Sequence, residues 1–204
     1  SPASFNNDLG IPLTLLGGGE TENFVIEVGA NACGEIEHLA NLVDPDVAII
    51  TSIQKAHLEG FGSVEAILYE KSKLFEVLSS DGVAIFPLDV QVDKTKLACE
   101  TVMVGESKDA DVRVRTRCDE QGFAMLDIGA GFVTLRVLGK HNAMNAALAV
   151  VAAQCAFRRL GEEYSLHELL KRVSSFEGTA GRLMKKEING VTVIDDAYNA
   201  SPSS

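Results

Sequence analysis

The sequence predicts an α/β protein in which a mostly parallel sheet is flanked by helices and a small antiparallel β region follows. Strand-like and helix-like runs alternate through the first half of the chain, which is typical of a parallel sheet. Between residues 111 and 138, three strand-like runs are separated only by short turns, which favours an antiparallel arrangement. The 204 residues, 46% of them hydrophobic, are enough for one domain to bury a core without disulfides.

The first strand-like run, residues 22–29, contains the most informative residue of the chain, Glu27. The apolar residues Val25, Ile26 and Val28 do not alternate with polar ones, so the run predicts a strand buried on both faces. An ionised carboxylate is costly in such a strand unless a cation meets it. Because ligands often bind at the carboxyl ends of parallel strands, Glu27 is a candidate metal or ligand contact, with a structural role left open.

The remaining strands and the first helices follow in order. Further strand-like runs lie at 46–53, 82–87 and 100–104, with helical patterns at 34–42 and 63–79. The predicted antiparallel strands are 112–117, 123–128 and 133–138. Near the end of the chain, Asn189-Gly190 lies between strand-like runs at 182–188 and 191–195, which predicts a hairpin with a type I′ turn.

Two helices are predicted between the antiparallel region and the hairpin. Residues 141–160 are rich in alanine and aliphatic side chains and precede Gly161, which predicts a long helix with a glycine stop. Ser165 and Glu168 have the spacing of a capping box. A second helix is therefore predicted to begin after Ser165.

The acidic composition restricts the partners that we expect. A net charge of −11 and a pI near 4.8 argue against nonspecific binding of nucleic acid or of anionic membranes. The four cysteines form no CxxC pair, which favours a reducing, cytoplasmic location. No apolar run approaches the roughly 20 residues of a membrane span, and the start of the chain lacks the pattern of a signal peptide.

Lys71 and His57 are further candidates. Lys71 lies on the apolar stripe of the predicted helix 63–79, four residues after Ile67. Its stem could be buried while the ammonium reaches water, or it could be a functional amine in a cleft. His57 lies in a glycine-punctuated loop after the second predicted strand, where α/β ligand sites form, although a lone loop histidine is often structural.

Asn142 and Asn145 share one face at the start of the long predicted helix, because they are three residues apart. Helix capping explains one asparagine but not both. A small polar helix start that faces solvent explains the pair, and so does contact with a ligand.

Taken together, these segments resemble the Mur ligase family, whose central domain is a P-loop-NTPase-like α/β fold. The matching segments are Asn6 to Leu16, Glu27 to Asn31 with Gly34 to Ile36, Ala56 to Ser63, His141-Asn142 with Asn145, Gly181-Arg182, and Asp195 to Ala200. The resemblance covers nearly all of the chain, in order and in spacing. The first and third segments are most similar to the branch of the family that acts on D-alanyl-D-alanine.

The resemblance implies an ATP-dependent amide ligase of peptidoglycan precursor synthesis in the cytoplasm. In such an enzyme the γ-phosphate passes to the terminal carboxylate of UDP-MurNAc-tripeptide, and the amine of D-Ala-D-Ala attacks the resulting acyl phosphate. The implied cofactors are ATP and Mg²⁺. The implied partners are these two substrates.

Site roles also follow from the resemblance. Glu27 would hold Mg²⁺ near the ATP phosphates, and His57 would help to hold a second Mg²⁺ beside the acyl phosphate. Lys71 matches a lysine that is carbamylated in the family, and the carbamate would face this second metal. The residues that match nucleotide contacts are Asn142 and Asn145 for adenine, Arg182 for the phosphates and Asp196 for the ribose.

The sequence departs from the family in one respect, since it contains no Gly-x-x-x-x-Gly-Lys-[Ser/Thr] P-loop. In the family this loop precedes the first matching segment. We therefore expect residues 1–204 to be an incomplete central domain without the P-loop, the N-terminal UDP-substrate domain and the C-terminal domain, and we expect the isolated chain to be inactive. Two alternatives stay open: a related Mur or folylpolyglutamate-type amide ligase, and a non-catalytic domain that keeps the fold.

Overall fold

The computed structural model of the chain describes residues 6–19, 23–54 and 61–198. The chain divides into two compact units. The first comprises Ser1–Ala84 and Gln91–Thr101, and the second comprises Ile85–Val90 and Val102–Ser204.

A four-stranded sheet forms the parallel part of the fold, and the predicted fold class is confirmed. Its strands, in order across the sheet, are β1 (Val47–Ile49), β2 (Val83–Pro87), β3 (Glu100–Gly105) and β4 (Val112–Arg113). β3 and β4 run parallel, with Val104 opposite Val112. All five residues of β2 are buried, as expected for a strand covered on both faces. β1 is shorter than the predicted strand at 46–53.

The described part of the first unit contains three α-helices, α1 (Gly10–Gly17), α2 (Glu35–Val43) and α3 (Val64–Glu76), and α2 packs against both of the others. The helices predicted at 34–42 and 63–79 are thus confirmed as α2 and α3. Ser63 caps α3, since its Oγ accepts from Ala66 N at 3.1 Å. α1 was not predicted, and it begins where Asn7 Oδ1 accepts from Gly10 N at 3.0 Å.

The strand predicted at residues 22–29 is wrong. Residues 23–29 form no strand, and Val25 is 93% exposed. The segment is bonded instead to the chain before α1, where Gly29 N donates to Asn6 O at 2.9 Å. An apolar run becomes a buried strand only beside a neighbouring strand, and none of the strands in the described ranges pairs with this segment.

The predicted antiparallel region is confirmed from residue 115 onward. β5 (Arg115–Cys118), β6 (Phe123–Asp127) and β7 (Val133–Leu138) form an antiparallel sheet in that order. The strand predicted at 112–117 is wrong in one respect, because it divides at Val114. Val114 is buried and its N–H donates to Gly105 O at 2.9 Å, so the residues before it extend the parallel sheet and the residues after it enter the antiparallel one.

Both helices predicted for the second unit are confirmed. α4 (Lys140–Arg159) packs against β5 and β6, and also against α5 (Leu166–Ser174). The capping box of α5 is complete, because Ser165 Oγ accepts from Glu168 N at 3.2 Å and Glu168 Oε2 accepts from Ser165 N at 3.0 Å. Neither α4 nor any other helix in the described ranges has the length and apolar character needed to cross a membrane.

The predicted hairpin is confirmed as β8 (Met184–Ile188) and β9 (Val191–Asp195), which pair antiparallel with Met184 opposite Asp195. Asn189 and Gly190 have φ angles of 51° and 77°. Positive φ at both central residues is what a type I′ turn requires, and this explains why the Asn-Gly pair could be read from the sequence.

Candidate active site

Glu27 lies on the surface of the first unit, in the segment that precedes α2. The expectation that it is buried among apolar neighbours is therefore wrong. Its Oε1 accepts a hydrogen bond from Asn6 Nδ2 at 3.1 Å. A carboxylate oriented by one amide still offers oxygen lone pairs to a cation.

Lys71 lies on α3, on the same side as the buried residues Ile67 and Phe75, and is itself partly buried. Its Nζ donates to Ser52 O, just beyond β1, at 3.3 Å. Burial lowers the pKa of Lys71 because the charged form loses hydration, and no opposite charge in the described part of the chain offsets this effect. The predicted position of Lys71 on an apolar stripe is confirmed.

Glu70, the residue before Lys71, was missed by the sequence interpretation. It is 2% exposed. Both of its carboxylate oxygens accept backbone N–H groups at the start of α2, from Gly34 and Ile36, each at 2.8 Å. The signal in the sequence was an ionisable residue three positions after Ile67, on the apolar side of the predicted helix.

The predicted metal contact His57 lies outside the described residues. Within the described ranges, no three His, Cys, Asp or Glu side chains are grouped so that they could hold a metal ion. Mg²⁺ does not need such a group, because it commonly binds one or two carboxylates together with substrate phosphates. The exposed carboxylate of Glu27 fits that kind of site.

The start of α4 carries the two predicted asparagines. Gly139 precedes the helix with a φ of 87°, a conformation that favours glycine. Asn142 Nδ2 donates to Leu138 O at 2.8 Å, and Asn145 Nδ2 donates to Asn142 Oδ1 at 3.2 Å. The predicted shared face is confirmed, and the two amides form one hydrogen-bonded pair.

Lys140, the first residue of α4, is held by a carboxylate that sequence reasoning missed. Glu106, just beyond β3, accepts from Lys140 Nζ at 3.1 Å through Oε2. Its Oε1 accepts from Thr116 N at 2.9 Å and from Thr116 Oγ1 at 2.7 Å. The bonds from Thr116, and then the one from Lys140, hold the pKa of Glu106 below its ordinary value. The start of α4 is thereby tied to β5 and to the end of β3.

Arg182 and Asp196 lie at the base of the hairpin, at the end opposite the Asn189-Gly190 turn. Leu183 N donates to Asp196 Oδ1 at 3.2 Å. Tyr198 N donates to Gly181 O at 3.1 Å, and the Tyr198 ring covers the Arg182 guanidinium. The hairpin therefore brings together the residues predicted for the phosphates and for the ribose.

Each unit thus presents its own group of candidate functional side chains. The first unit offers the oriented carboxylate of Glu27 and the Lys71 amine of lowered pKa. The second unit offers side-chain amides at the start of α4 and a guanidinium beside a carboxylate at the base of the hairpin. Amides can pair with the donors and acceptors of a nucleobase, and a guanidinium suits phosphate oxygens.

Residues 1–153 match the Mur ligase middle domain. The chain belongs to the Mur ligase family. The match includes Glu27, Lys71 and the asparagine pair, whereas the hairpin of this Mur ligase lies beyond it.

The relatives of this Mur ligase chain are longer proteins. The UDP-N-acetylmuramoyl-tripeptide–D-alanyl-D-alanine ligase of Bacillus subtilis is 37% identical over 98% of this chain and 44% of its own length. The crystal structure of MurF from Acinetobacter baumannii is 33% identical, with a TM-score of 0.78 over 98% of this chain and 44% of its own. MurF from Thermotoga maritima, solved in complex with ADP, is 26% identical, with a TM-score of 0.72 over 100% of this chain and 47% of its own. The chain spans less than half of the length of these relatives.

Proposed function

We propose that this chain is the central part of a longer ATP-dependent ligase, which joins D-Ala-D-Ala to UDP-MurNAc-tripeptide in the cytoplasm during peptidoglycan precursor synthesis. The observation that carries the proposal is the 37% identity to the Bacillus subtilis ligase over 98% of the chain. The aligned region extends past the end of the family match at residue 153 and includes the hairpin with Arg182 and Asp196. The longer protein is called the full-length ligase below.

The proposed reaction has two steps. First, a carboxylate oxygen of the tripeptide attacks the γ-phosphorus of ATP, the bond from that phosphorus to the bridging oxygen breaks, and ADP leaves. The amine of D-Ala-D-Ala then attacks the carbonyl carbon of the acyl phosphate, phosphate leaves with its bridging oxygen, and the nitrogen loses a proton. The products are the amide, ADP and phosphate.

The second unit supplies the proposed nucleotide contacts. The exposed Arg182 guanidinium lies against the Tyr198 ring, which limits its motion and leaves its edge for phosphate oxygens. Asp196 accepts one backbone N–H through Oδ1, so its other oxygen can accept from a ribose hydroxyl. Asn142 and Asn145 are the proposed adenine contacts at the start of α4.

The first unit supplies the proposed metal contacts. Glu27, His57 and a carbamylated Lys71 would hold Mg²⁺, which neutralises the charge that develops on the phosphates during transfer. Glu27 is suited to this role because Asn6 orients its carboxylate at the surface. The proposed reaction also needs the oriented N–H groups of a P-loop to bind the phosphates. Residues 1–204 contain no P-loop sequence.

Carbamylation of Lys71 is part of the proposal. The neutral amine attacks CO₂, an N–C bond forms, a C=O electron pair moves to oxygen, and the nitrogen releases a proton to solvent. The lowered pKa of Lys71 increases the fraction of neutral amine that can react. The product replaces a partly buried cation with a carboxylate-like group, which is a better ligand for Mg²⁺.

An isotope experiment tests the proposed function. The full-length ligase is given ATP, D-Ala-D-Ala and UDP-MurNAc-tripeptide labelled with ¹⁸O in its terminal carboxylate. We expect amide product and one labelled oxygen in each phosphate released, because that oxygen bridges carbon and phosphorus in the acyl phosphate. Unlabelled phosphate would contradict the acyl-phosphate step, and a lack of amide product would contradict the substrate assignment. This chain by itself is expected to form no product.

A further inference from the structure

The buried carboxylate of Glu70 has no part in the chemistry proposed above, yet it is the most completely buried charged group in the described part of the first unit. Its side chain is 2% exposed, and its two oxygens are each 2.8 Å from a backbone nitrogen, Oε2 from Gly34 N and Oε1 from Ile36 N. Burying a carboxylate is costly unless its hydrogen bonds are satisfied. Both oxygens of Glu70 are satisfied by one short stretch of backbone.

The acceptors of Glu70 supply the cap that α2 otherwise lacks. Gly34 is the N-cap residue and has no side chain with which to bond the first N–H groups of the helix. Glu70 provides these bonds from a different helix, and its negative charge is favourable at the positive end of α2. The carboxylate thus fixes α3 against the start of α2.

The segment before α2 is tied at several points, and it carries Glu27. Asn31 N donates to Glu35 Oε2 at 2.8 Å, and Gly29 N donates to Asn6 O at 2.9 Å. The Glu27 carboxylate is itself held by Asn6 Nδ2. The segment between Glu27 and the start of α2 is therefore held by hydrogen bonds at several points along its length, and the bonds to Glu70 lie at its end.

Lys71 follows Glu70 directly on α3. Adjacent residues of a helix do not face each other, so Glu70 does not act on Lys71 by direct contact. A shift of α3 relative to α2 would nevertheless move Lys71 relative to Glu27, because Lys71 lies on α3 and Glu27 lies in the segment that leads into α2, which packs against α3.

We propose that Glu70 is a positioning residue, which holds the Lys71 helix against the segment that carries Glu27 and so keeps both groups in place for carbamylation and metal binding. The inference rests on the proposed function. A purely structural role for Glu70 would affect the stability of the chain, whereas a positioning role also affects the occupancy of the carbamate in molecules that remain folded.

The test measures the Lys71 carbamate directly by ¹³C NMR in the full-length ligase, after equilibration with ¹³C-bicarbonate in the presence of nucleotide and Mg²⁺. In Glu70→Gln, one oxygen can still accept, but the amide NH₂ would face a backbone N–H, so one of the two bonds is lost. We expect the carbamate signal to fall several-fold in Glu70→Gln, with helix content by circular dichroism unchanged. A carbamate signal equal to that of the parent would overturn the proposal.

Two further variants keep the test decisive. Glu76 lies on the exposed side of the same helix and pairs with Lys73. The control variant Glu76→Gln should therefore leave the carbamate signal unchanged. Glu70→Asp keeps the charge but is one methylene shorter, so it cannot reach both N–H groups. If Glu70→Gln does not fold, a reduced signal in folded Glu70→Asp supports the positioning role, and a full signal overturns it.

The carbamate signal of the parent protein distinguishes a failure of this inference from a failure of the proposed function. A parent without any Lys71 carbamate would contradict the role proposed for Lys71, and this inference with it. A carbamylated parent together with a fully carbamylated Glu70 variant would contradict the positioning role alone.

Discussion

The Arg182 guanidinium carbon lies 3.9 Å from the centroid of the Tyr198 ring. The contact joins the two ends of the hairpin, because Arg182 precedes β8 and Tyr198 follows β9. Gly181 permits this approach. Its φ is 71°, and a Cβ added there would lie 3.1 Å from Tyr198 N. The Tyr198 ring therefore packs against the side chain proposed for the ATP phosphates, and its position in the sequence did not reveal this contact.

Replacing Tyr198 should therefore weaken phosphate recognition selectively. Cation–π contacts at exposed sites contribute about 0.5–1 kcal/mol, so Tyr198→Leu in the full-length ligase should weaken ATP binding by about twofold to fivefold. Adenosine binding should be unchanged, because adenosine has no phosphates. Calorimetry with both ligands measures the difference.

Tyr198→Phe is the matched control, since it keeps the ring and removes only the hydroxyl. It should bind ATP as the parent does. Equal weakening of ATP and adenosine in Tyr198→Leu would show that the ring supports the nucleotide site as a whole and not Arg182.

Lys71→Ala in the full-length ligase should remove most of the ligase activity, because it removes the amine that is proposed to carry the carbamate. If the carbamate is what the reaction needs, added acetate or formate should restore part of the rate by occupying the vacated space. The measurement is the rate of amide formation as a function of carboxylate concentration. Undiminished activity of Lys71→Ala would exclude the proposed role.

Glu27→Gln should separate metal use from folding. Glu27 is exposed and its carboxylate accepts a hydrogen bond from Asn6 Nδ2, so the substitution should change the unfolding temperature of the full-length ligase little. The concentration of Mg²⁺ needed for ATP consumption should rise, since the amide is a weaker ligand than the carboxylate. A less stable variant with normal Mg²⁺ dependence would identify Glu27 as structural.

Acid should destabilise the second unit partly through Asp127. Arg115 bonds to Oδ2, and the N–H groups of Gly129 and Gly131 donate to Oδ1 at 2.8 and 3.0 Å. Hydrogen bonding from the Arg115 side chain is the main reason that the pKa of Asp127 lies below its ordinary value. A carboxyl group whose pKa is lowered by folding stabilises the folded state fully above the unfolded pKa of about 3.9, and this contribution is lost as the pH falls towards the folded pKa.

The corresponding measurement is thermal unfolding between neutral pH and about pH 3, a window that brackets the unfolded pKa. Asp127→Asn should be less stable than the parent at neutral pH, and its stability should fall less steeply with acid. Asp89→Asn, at an exposed position between β2 and β3, should follow the parent curve. Parallel curves for the parent and Asp127→Asn would mean that other groups account for the acid sensitivity.

Features that depend on nearby residues could be predicted from the sequence. The capping box of Ser165 and Glu168 and the Asn189-Gly190 turn are set by contacts within a few residues, and both have the expected geometry. The asparagine pair on α4 was predictable for the same reason, since helical spacing alone places the two side chains together.

Features that depend on distant partners could not be predicted. Glu70 accepts from Gly34 N and Ile36 N, which lie more than 30 positions earlier in the chain. Nothing in the local pattern identifies the start of α2 as its partner. Glu27 was placed in a buried strand because its neighbours are apolar, but burial requires a second strand that a single run does not specify. The aromatic cover on Arg182 depends likewise on how the hairpin closes.

The place at which the chain divides, Val114, determines which face of β5 is buried. Alternate residues of a strand face opposite sides, so the number of residues between the last pairing of β4 and the first of β5 decides which side chains of β5 face α4. With the spacing that the chain has, Thr116 is buried, whereas Arg115 and Arg117 are exposed. One inserted residue at Val114 would turn the arginines towards the helix and the threonine towards water. The number of residues between β4 and β5 therefore determines which face of β5 is buried.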